Sequence, residues 1–302
     1  MKKFIALTLA LVMCVFCFAA CGGNADTKDT EAAANTDVET NNDTAADTAA
    51  DTAADTAADV VEDVAYVTAQ GKLVVGITYL EPLDFQDENG AWVGFDAELA
   101  AAVAEKLGVE VEYQEISWEA KEAELAAKHI DCIWNGLTIT PAREEEMSIS
   151  KPYMVNKQIV VVRADDAGNY SDIASLAGKV IAAEAGSAGE EIVLGNITDA
   201  VYVEKSIQLD ALTEVKALTS DAAVIDYVMA NYLVNKEGSD FADLEILDMG
   251  LSDTEYYGIA FRKGSDLTAK VNEILAELEA DGTIAAIAEK YALTDALVSM
   301  AG

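Results

Sequence analysis

The sequence predicts an α/β protein with largely parallel sheets, because strand-like and helix-like segments alternate along most of the chain. The strand-like segments are short and apolar, as expected for strands buried between helices. The roughly 239 residues that follow a low-complexity region suffice for one or two domains. The predicted strands cover residues 73–77, 109–113, 130–134, 158–162, 180–183, 222–225 and 257–261, and the predicted helices residues 97–107, 119–127, 209–218, 227–234 and 267–280.

The N-terminal residues 1–20 read as a secretory signal peptide. Lys2 and Lys3 precede an apolar segment, 4–18, that is too short to span a bilayer comfortably. Small residues immediately before Cys21 resemble the bacterial lipobox, which would make Cys21 the lipidated, palmitate-bearing first residue of the mature chain. The predicted location is therefore the extracytoplasmic face of the cell membrane, with the lipid as the only anchor. A plain signal peptide cleaved nearby is the alternative.

Residues 21–63 are predicted to form a disordered acidic linker. The four residues Asp-Thr-Ala-Ala repeat four times between 43 and 58, and residues 22–63 hold 12 acidic residues and one lysine. With almost nothing apolar larger than alanine, such a segment cannot bury enough surface to fold. Random-coil scaling gives it an end-to-end distance of roughly 35 Å. Alanine would favour a helix, but the threonines and the like charges four residues apart oppose one.

The net charge of the chain excludes some classes of binding partner. The formal net charge of the chain is −36, and residues 64–302 alone retain about −27. Such a surface repels nucleic acid and anionic lipid, so neither is expected as a ligand. It would attract cations, although an acidic surface can equally serve solubility alone.

Enzymatic chemistry has little support in the sequence. Cys132, the only cysteine after Cys21, falls in a predicted buried strand and is expected to be a core residue, so no disulfide is predicted. The only histidine, His129, is expected to face solvent. The chain shows no metal-ligand spacing, nucleophile triad or phosphate-binding loop, and we therefore predict no cofactor, no metal site and no catalysis.

Local signals place turns and helix ends in the first half of the chain. Residues 87–90, DENG, mark a tight turn, and Asn89-Gly90 suits a hairpin between two short strands. The helix of residues 97–107 is expected to stop at Gly108.

The most informative stretch is residues 136–143, GLTITPAR, directly after the strand of residues 130–134. Ligands of open α/β sheets bind outside the carboxyl ends of such strands. The planar fork of Arg143 matches a carboxylate, and the Thr138 hydroxyl could satisfy a remaining lone pair. Pro141 predicts the first turn of a helix, whose free N–H groups also favour an anion. Alternatively, Arg143 belongs to an exposed charge run, residues 143–146.

Two segments of the second half could supply further contacts. Residues 180–189 read as a strand, a small-residue turn and the start of a helix, with Gly186 and Ser187 in the turn. Asp226 directly follows the strand of residues 222–225, where it could bind a ligand or cap the next helix.

From Gly71 to Tyr153 the order and spacing of these pieces resemble the amino-acid-binding branch of the type 2 periplasmic binding proteins, the solute receptors of ABC importers. The matching pieces are 71–76 (GKLVVG), 93–96 (VGFD), 105–109 (EKLGV), Trp118, Asp131, 136–143 and 150–153 (SKPY).

The resemblance implies a two-lobed fold with two hinge crossings, preceded by the disordered linker. Lobe one would comprise residues 64–154 plus 252–302, and lobe two residues 156–250, with the ligand in the cleft between them. The implied function is a monomeric, lipid-anchored receptor that delivers a polar amino acid, basic ones included, to the transmembrane subunits of an ABC permease. An enzyme on the same fold, such as a small-molecule dehydratase, and an amino-acid sensor without transport are the alternatives.

The resemblance also assigns roles to residues. Arg143, with Thr138 and Gly136, would hold the ligand carboxylate, assisted by Ser187, and Asp226 would hold its ammonium group. For Ser187 a simple turn is the alternative.

Side-chain specificity is less defined by the sequence. Trp118 would pack on the ligand or serve as a core residue. Glu81 and Glu184 would favour a cationic side chain, and Lys121 an acidic or amide one, unless these are solvated surface charges. Residues 78–85 depart from the family, being one residue shorter and lacking the usual acid near Thr78.

Overall fold

The computed structural model describes residues 60–300. The helices are α1 Asp63–Gln70, α2 Phe95–Leu107, α3 Lys121–Ala126, α4 Pro141–Glu146, α5 Ala188–Asn196, α6 Gln208–Lys216, α7 Tyr227–Asn235, α8 Leu267–Ala280 and α9 Thr283–Lys290. The strands are β1 Lys72–Ile77, β2 Phe85–Gln86, β3 Trp92–Val93, β4 Glu110–Glu115, β5 Cys132–Thr138, β6 Met147–Ile149, β7 Met154–Asn156, β8 Gln158–Arg163, β9 Val180–Glu184, β10 Val201–Lys205, β11 Ala222–Asp226, β12 Leu244–Leu247 and β13 Glu255–Arg262.

These elements form a two-lobed α/β fold, with one large sheet in each lobe. The first sheet has the strand order β4-β1-β5-β13-β6, with β7 also paired to β13, and the second has the order β10-β9-β11-β8-β12. The chain passes from the first sheet to the second between β7 and β8, and it returns between β12 and β13.

The prediction of largely parallel sheets is wrong in detail, because both sheets are mixed. Strands β1, β4 and β5 are parallel, as are β9, β10 and β11, but β13 is antiparallel to β5 and β8 to β11. The register gives the reason: the Gln158 end of β8 pairs with Asp226, the last residue of β11, and Tyr257 near the start of β13 pairs with Thr138, the last residue of β5. A strand that enters a lobe from a crossing begins at the edge where the parallel strands end.

Several local predictions are confirmed. Helix α2 stops before Gly108, its C-cap residue, which has a left-handed φ of 76°. The turn at Asn89-Gly90 joins the antiparallel strands β2 and β3. Pro141 is the first residue of α4, Cys132 is fully buried in β5, and His129 is exposed and paired with Glu124.

The predicted linker boundary at residue 63 is too late. The Val61 N–H donates to the Gly264 carbonyl at 2.9 Å, and Asp63 is buried and forms an ion pair with Arg262 at 2.9 Å. Local composition could not reveal a partner so distant in the sequence. The signal peptide 1–20, the lipidated Cys21 and the rest of the linker lie outside the described residues.

Within residues 60–300, no helix is both long enough and apolar enough to cross a membrane.

Candidate functional site

A small cavity lies between the two lobes, at the carboxyl ends of β5, β9 and β11. Seven of the eight predicted ligand-binding residues line it, namely Trp118, Gly136, Thr138, Arg143, Glu184, Ser187 and Asp226. Leu80, Asn135, Ala188 and Gln208 complete the lining.

Arg143 is positioned by the start of α4. The Thr140 hydroxyl caps this helix by accepting from the Arg143 N–H at 3.2 Å, and the Arg143 side chain is buried while the neighbouring Glu144 is exposed. The alternative of an exposed charge run is therefore wrong for Arg143. Its guanidinium donates to the carbonyls of Thr138 at 2.7 Å and Gly186 at 3.3 Å. Within residues 60–300 no carboxylate forms an ion pair with it, so its positive charge is not neutralised.

Thr138 and Gly136 belong to the last part of β5. The Gly136 N–H donates to the buried Asp96 carboxylate at 2.8 Å, and the Thr138 hydroxyl donates to Glu255 at 3.3 Å. Gly136 has a φ of 56°, and a Cβ there would approach Leu80 to 2.9 Å. Gly136 therefore shapes the cavity wall, while its N–H is used within the protein.

Asp226 ends β11 and is buried. Asn156 and Gln158 donate side-chain N–H groups to its Oδ1, and Gln208 donates to its Oδ2. Burial raises the pKa of Asp226, and these amide hydrogen bonds oppose the rise by stabilising the charged form. Although Asp226 occupies the N-cap position of α7, its side chain makes no capping hydrogen bond. The capping alternative is therefore wrong, and no lysine or arginine among residues 60–300 pairs with Asp226.

Glu184 ends β9 and adds a second carboxylate to the same side of the cavity. Burial and the nearby Asp226 raise its pKa to about 8. Neither Glu184 nor Lys121 is a solvated surface charge, because both are buried. The Lys121 Nζ contacts the carbonyls of Trp118 at 3.1 Å and Gly186 at 3.0 Å, and it pairs with Glu122 at 3.1 Å.

Gly186 and Ser187 form the turn between β9 and α5. The Ser187 hydroxyl caps α5 by accepting from the Glu190 N–H at 3.1 Å and donates to the Glu184 carbonyl at 2.7 Å. Gly186 has a φ of 71°, and a Cβ there would lie 2.9 Å from the Cα of Glu119. The two lobes approach closely at this glycine.

Trp118 is buried in the wall of the cavity, and the Lys121 ammonium lies 4.9 Å from its ring centroid. One face of the ring is thus already engaged by a cation of the protein.

Glu81 is not part of the cavity lining, contrary to the prediction. It forms an ion pair with Lys236 at 3.1 Å and accepts a hydrogen bond from the Tyr79 hydroxyl at 3.2 Å. The cause is a tight turn in which the N–H groups of Leu83 and Asp84 both donate to the Leu80 carbonyl. With this turn, Leu80 lines the cavity and Glu81 does not.

Comparison with known proteins identifies the family. The family described as bacterial extracellular solute-binding proteins, family 3, matches residues 73–294. The chain belongs to this family. The L-cystine-binding protein TcyJ of Escherichia coli is 30% identical over 228 residues, which cover 74% of this chain and 84% of TcyJ. The arginine-binding extracellular protein ArtP of Bacillus subtilis is 30% identical over 225 residues, which cover 73% of this chain and 86% of ArtP.

A solved structure agrees with these relatives. The substrate-binding protein of an ABC uptake transporter from Streptococcus pneumoniae, with bound histidine, superposes with a TM-score of 0.72 at 31% identity, covering 79% of this chain and 99% of that one. As a member of an extracellular family, the protein acts outside the cytoplasm.

Sequence reasoning missed the amides that hold Asp226 in this family 3 protein. Asn156 and Gln158 come from the first crossing, and Gln208 begins α6. Glu255, which starts β13, joins them by accepting from Asn156 at 3.2 Å and Gln158 at 3.0 Å. Neutral amides give no charge pattern, so only their position beside the predicted hinges could have indicated them.

Among residues 60–300, no group of histidine, cysteine, aspartate and glutamate side chains is arranged to hold a metal ion.

Proposed function

We propose that this protein binds one free α-amino acid in the cleft between its lobes and delivers it to an ABC permease. The observation that carries the proposal is a pair of opposite, buried charges that line one cavity. Arg143 lies on α4 in the first lobe and Asp226 ends β11 in the second, and neither has an ion-pair partner among residues 60–300. A zwitterion supplies both missing charges at once.

In the proposed complex the ligand carboxylate pairs with the Arg143 guanidinium, and the Thr138 hydroxyl and Ser187 assist it. The ligand ammonium group pairs with Asp226. Each hydrogen bond to a charged group contributes about 1.5–3 kcal/mol. Gly136 and Trp118 form part of the cavity wall around the ligand. Because the two charges belong to different lobes, a ligand that bridges them favours the closed arrangement.

The relatives narrow the class of ligand. Proteins about 30% identical to this chain bind cystine and arginine, and the pneumococcal structure contains histidine. Each of these ligands is an amino acid with a polar side chain. We therefore propose a polar amino acid, the basic ones included, as the ligand.

The proposal extends to the organisation of the chain. Residues 1–20 would direct secretion, lipid on Cys21 would anchor a monomer to the extracytoplasmic face of the membrane, and the acidic linker would let it reach the permease. Lobe one would comprise residues 64–154 plus 252–302, and lobe two residues 156–250.

In cells that produce a Cys21→Ser variant, the protein should no longer be found in the membrane fraction. Retention of this variant at wild-type level would reject the anchor.

A thermal-shift screen of the purified protein against the common amino acids and polyamines tests the function. A ligand at 100 times its Kd stabilises the folded state by about 2.7 kcal/mol, so the true ligand should raise the midpoint clearly. No shift with any amino acid would reject the proposal. Conversion of a candidate into product would favour a dehydratase-like enzyme, and binding without ligand uptake by cells would favour a sensor.

A further inference from the structure

The cavity contains one more carboxylate than a simple zwitterion needs. Arg143 would pair with the ligand carboxylate and Asp226 with its ammonium group, which leaves Glu184 without a counterpart. Glu184 lines the same cavity and is only 4% exposed, and its Oε1 has no hydrogen-bond partner among residues 60–300. A buried, ionised carboxylate is unfavourable unless it is paired.

The neighbouring cation of the protein does not fill this role. Lys121 lies close enough to Glu184 to influence its pKa, but its ammonium group contacts two carbonyls and the Glu122 carboxylate. An ammonium group has three N–H donors, so these three contacts use them all. The Gln208 amide holds Asp226 through both its carbonyl and its N–H. It also faces Glu184 as a hydrogen-bond donor, but a neutral amide supplies no counter-charge.

We propose that Glu184 is a specificity-determining residue that selects amino acids with a cationic side chain, whose ammonium or guanidinium group pairs with its carboxylate. This inference rests on the proposed function, because it presumes that the two ends of the amino acid occupy Arg143 and Asp226. Leu80 and Trp118 line the same cavity and provide apolar surface for the aliphatic part of such a side chain.

The environment of Glu184 supports this choice of ligand. Burial and the nearby Asp226 carboxylate raise the pKa of Glu184 to about 8, while Gln208 and Lys121, which also face it, oppose the rise. Without a cationic partner, the group thus holds a proton near neutral pH. A cationic ligand side chain replaces that proton, whereas a neutral side chain leaves the carboxyl group protonated. An acidic side chain would be repelled by the Asp226 carboxylate.

Calorimetry with arginine and its neutral isostere citrulline tests the proposal on the wild type and on Glu184→Gln. The wild type should bind arginine more tightly than citrulline. In Glu184→Gln the affinity for arginine should fall at least about thirtyfold, while that for citrulline stays within about threefold. Glu204→Gln, an exposed change on β10 of the same lobe, controls for the lost surface charge and should behave as the wild type.

The outcomes separate this inference from the function on which it rests. If the wild type binds no amino acid, the proposed function itself fails. If the wild type binds amino acids but the ratio of arginine to citrulline affinity is unchanged in Glu184→Gln, only the role of Glu184 is overturned. Lysine, which has a side-chain ammonium group, and norleucine, which lacks one, provide the same comparison as arginine and citrulline. Glu184→Gln replaces a buried carboxyl group by an amide of similar shape, so the thermal midpoint of the ligand-free variant should not fall below that of the wild type, which verifies that it folds.

Discussion

The close approach of the lobes at Gly186 yields the sharpest prediction. A Cβ at this position would lie 2.9 Å from the Cα and 3.3 Å from the N of Glu119, which are main-chain atoms of the opposite lobe. Main-chain atoms cannot rotate away as a flexible side chain can. In Gly186→Ala the lobes must therefore separate locally or the turn must shift.

The matched control is Gly178→Ala, in the same lobe. Gly178 has a φ of 70° against 71° for Gly186, and a Cβ there would meet nothing within 4 Å. Both variants therefore carry the same cost of a left-handed alanine, about 1–2 kcal/mol. Only Gly186→Ala adds an overpacking cost, about 1–3 kcal/mol, and it adds this cost only when the lobes are closed.

Binding that requires closure should thus be weaker in Gly186→Ala than in Gly178→Ala by about 5-fold to 150-fold. Calorimetry with the ligand found in the screen measures the affinities, and chemical unfolding without ligand measures the shared loss of stability. Equal ligand affinities in the two variants would refute the argument that closure needs a glycine at position 186.

Three further predictions concern the charged groups of the cavity. Arg143→Ala should lower amino-acid affinity by roughly 2–5 kcal/mol with the fold intact, and unchanged affinity in calorimetry would reject its assignment to the ligand carboxylate. Asp226→Asn should weaken the binding of amino acids much more than that of their deaminated analogues, and equal losses would count against an ammonium site. Because the pKa of Glu184 is raised from 4.5 to about 8, the folded protein holds more protons than the unfolded chain between these values. The contribution of Glu184 to the free energy of unfolding should therefore fall by roughly 1.4 kcal/mol per pH unit as the pH rises. Urea unfolding should show a smaller loss of stability between pH 5 and pH 8 in Glu184→Gln than in the wild type. The same dependence of stability on pH in both proteins would contradict this.

The segments that sequence predicted well are those whose periodicity or end signals are local. Helix α8 has the predicted bounds, and the strand before Arg143 continues to Thr138. Strands β10 and β12 were missed because both are partly exposed and neither gives a continuous apolar run; Val201 in β10 is exposed. Strands β6 and β7, at three residues each, are too short to give a period.

The error at Glu81 has a different origin. The sequence indicated correctly that residues 78–85 depart from the family, but the direction of each side chain depends on the turn that closes over Leu80. The partner of Glu81, Lys236, follows α7 in the second lobe. A contact between lobes, over a separation of 155 residues, leaves no mark in the local pattern.

The way the two predicted anchors are held explains how their charges remain available to a ligand. Arg143 is hydrogen-bonded by carbonyl groups and Asp226 by side-chain amides, so neutral dipoles stabilise each charge and fix its direction without neutralising it. A lysine in place of Gln208 would stabilise Asp226 at least as well but would also satisfy its charge. The ammonium group of a ligand would then face a lysine–aspartate pair with no net charge. The amides that carried no signal in the sequence therefore hold Asp226 in place and leave its charge without a counter-charge from the protein.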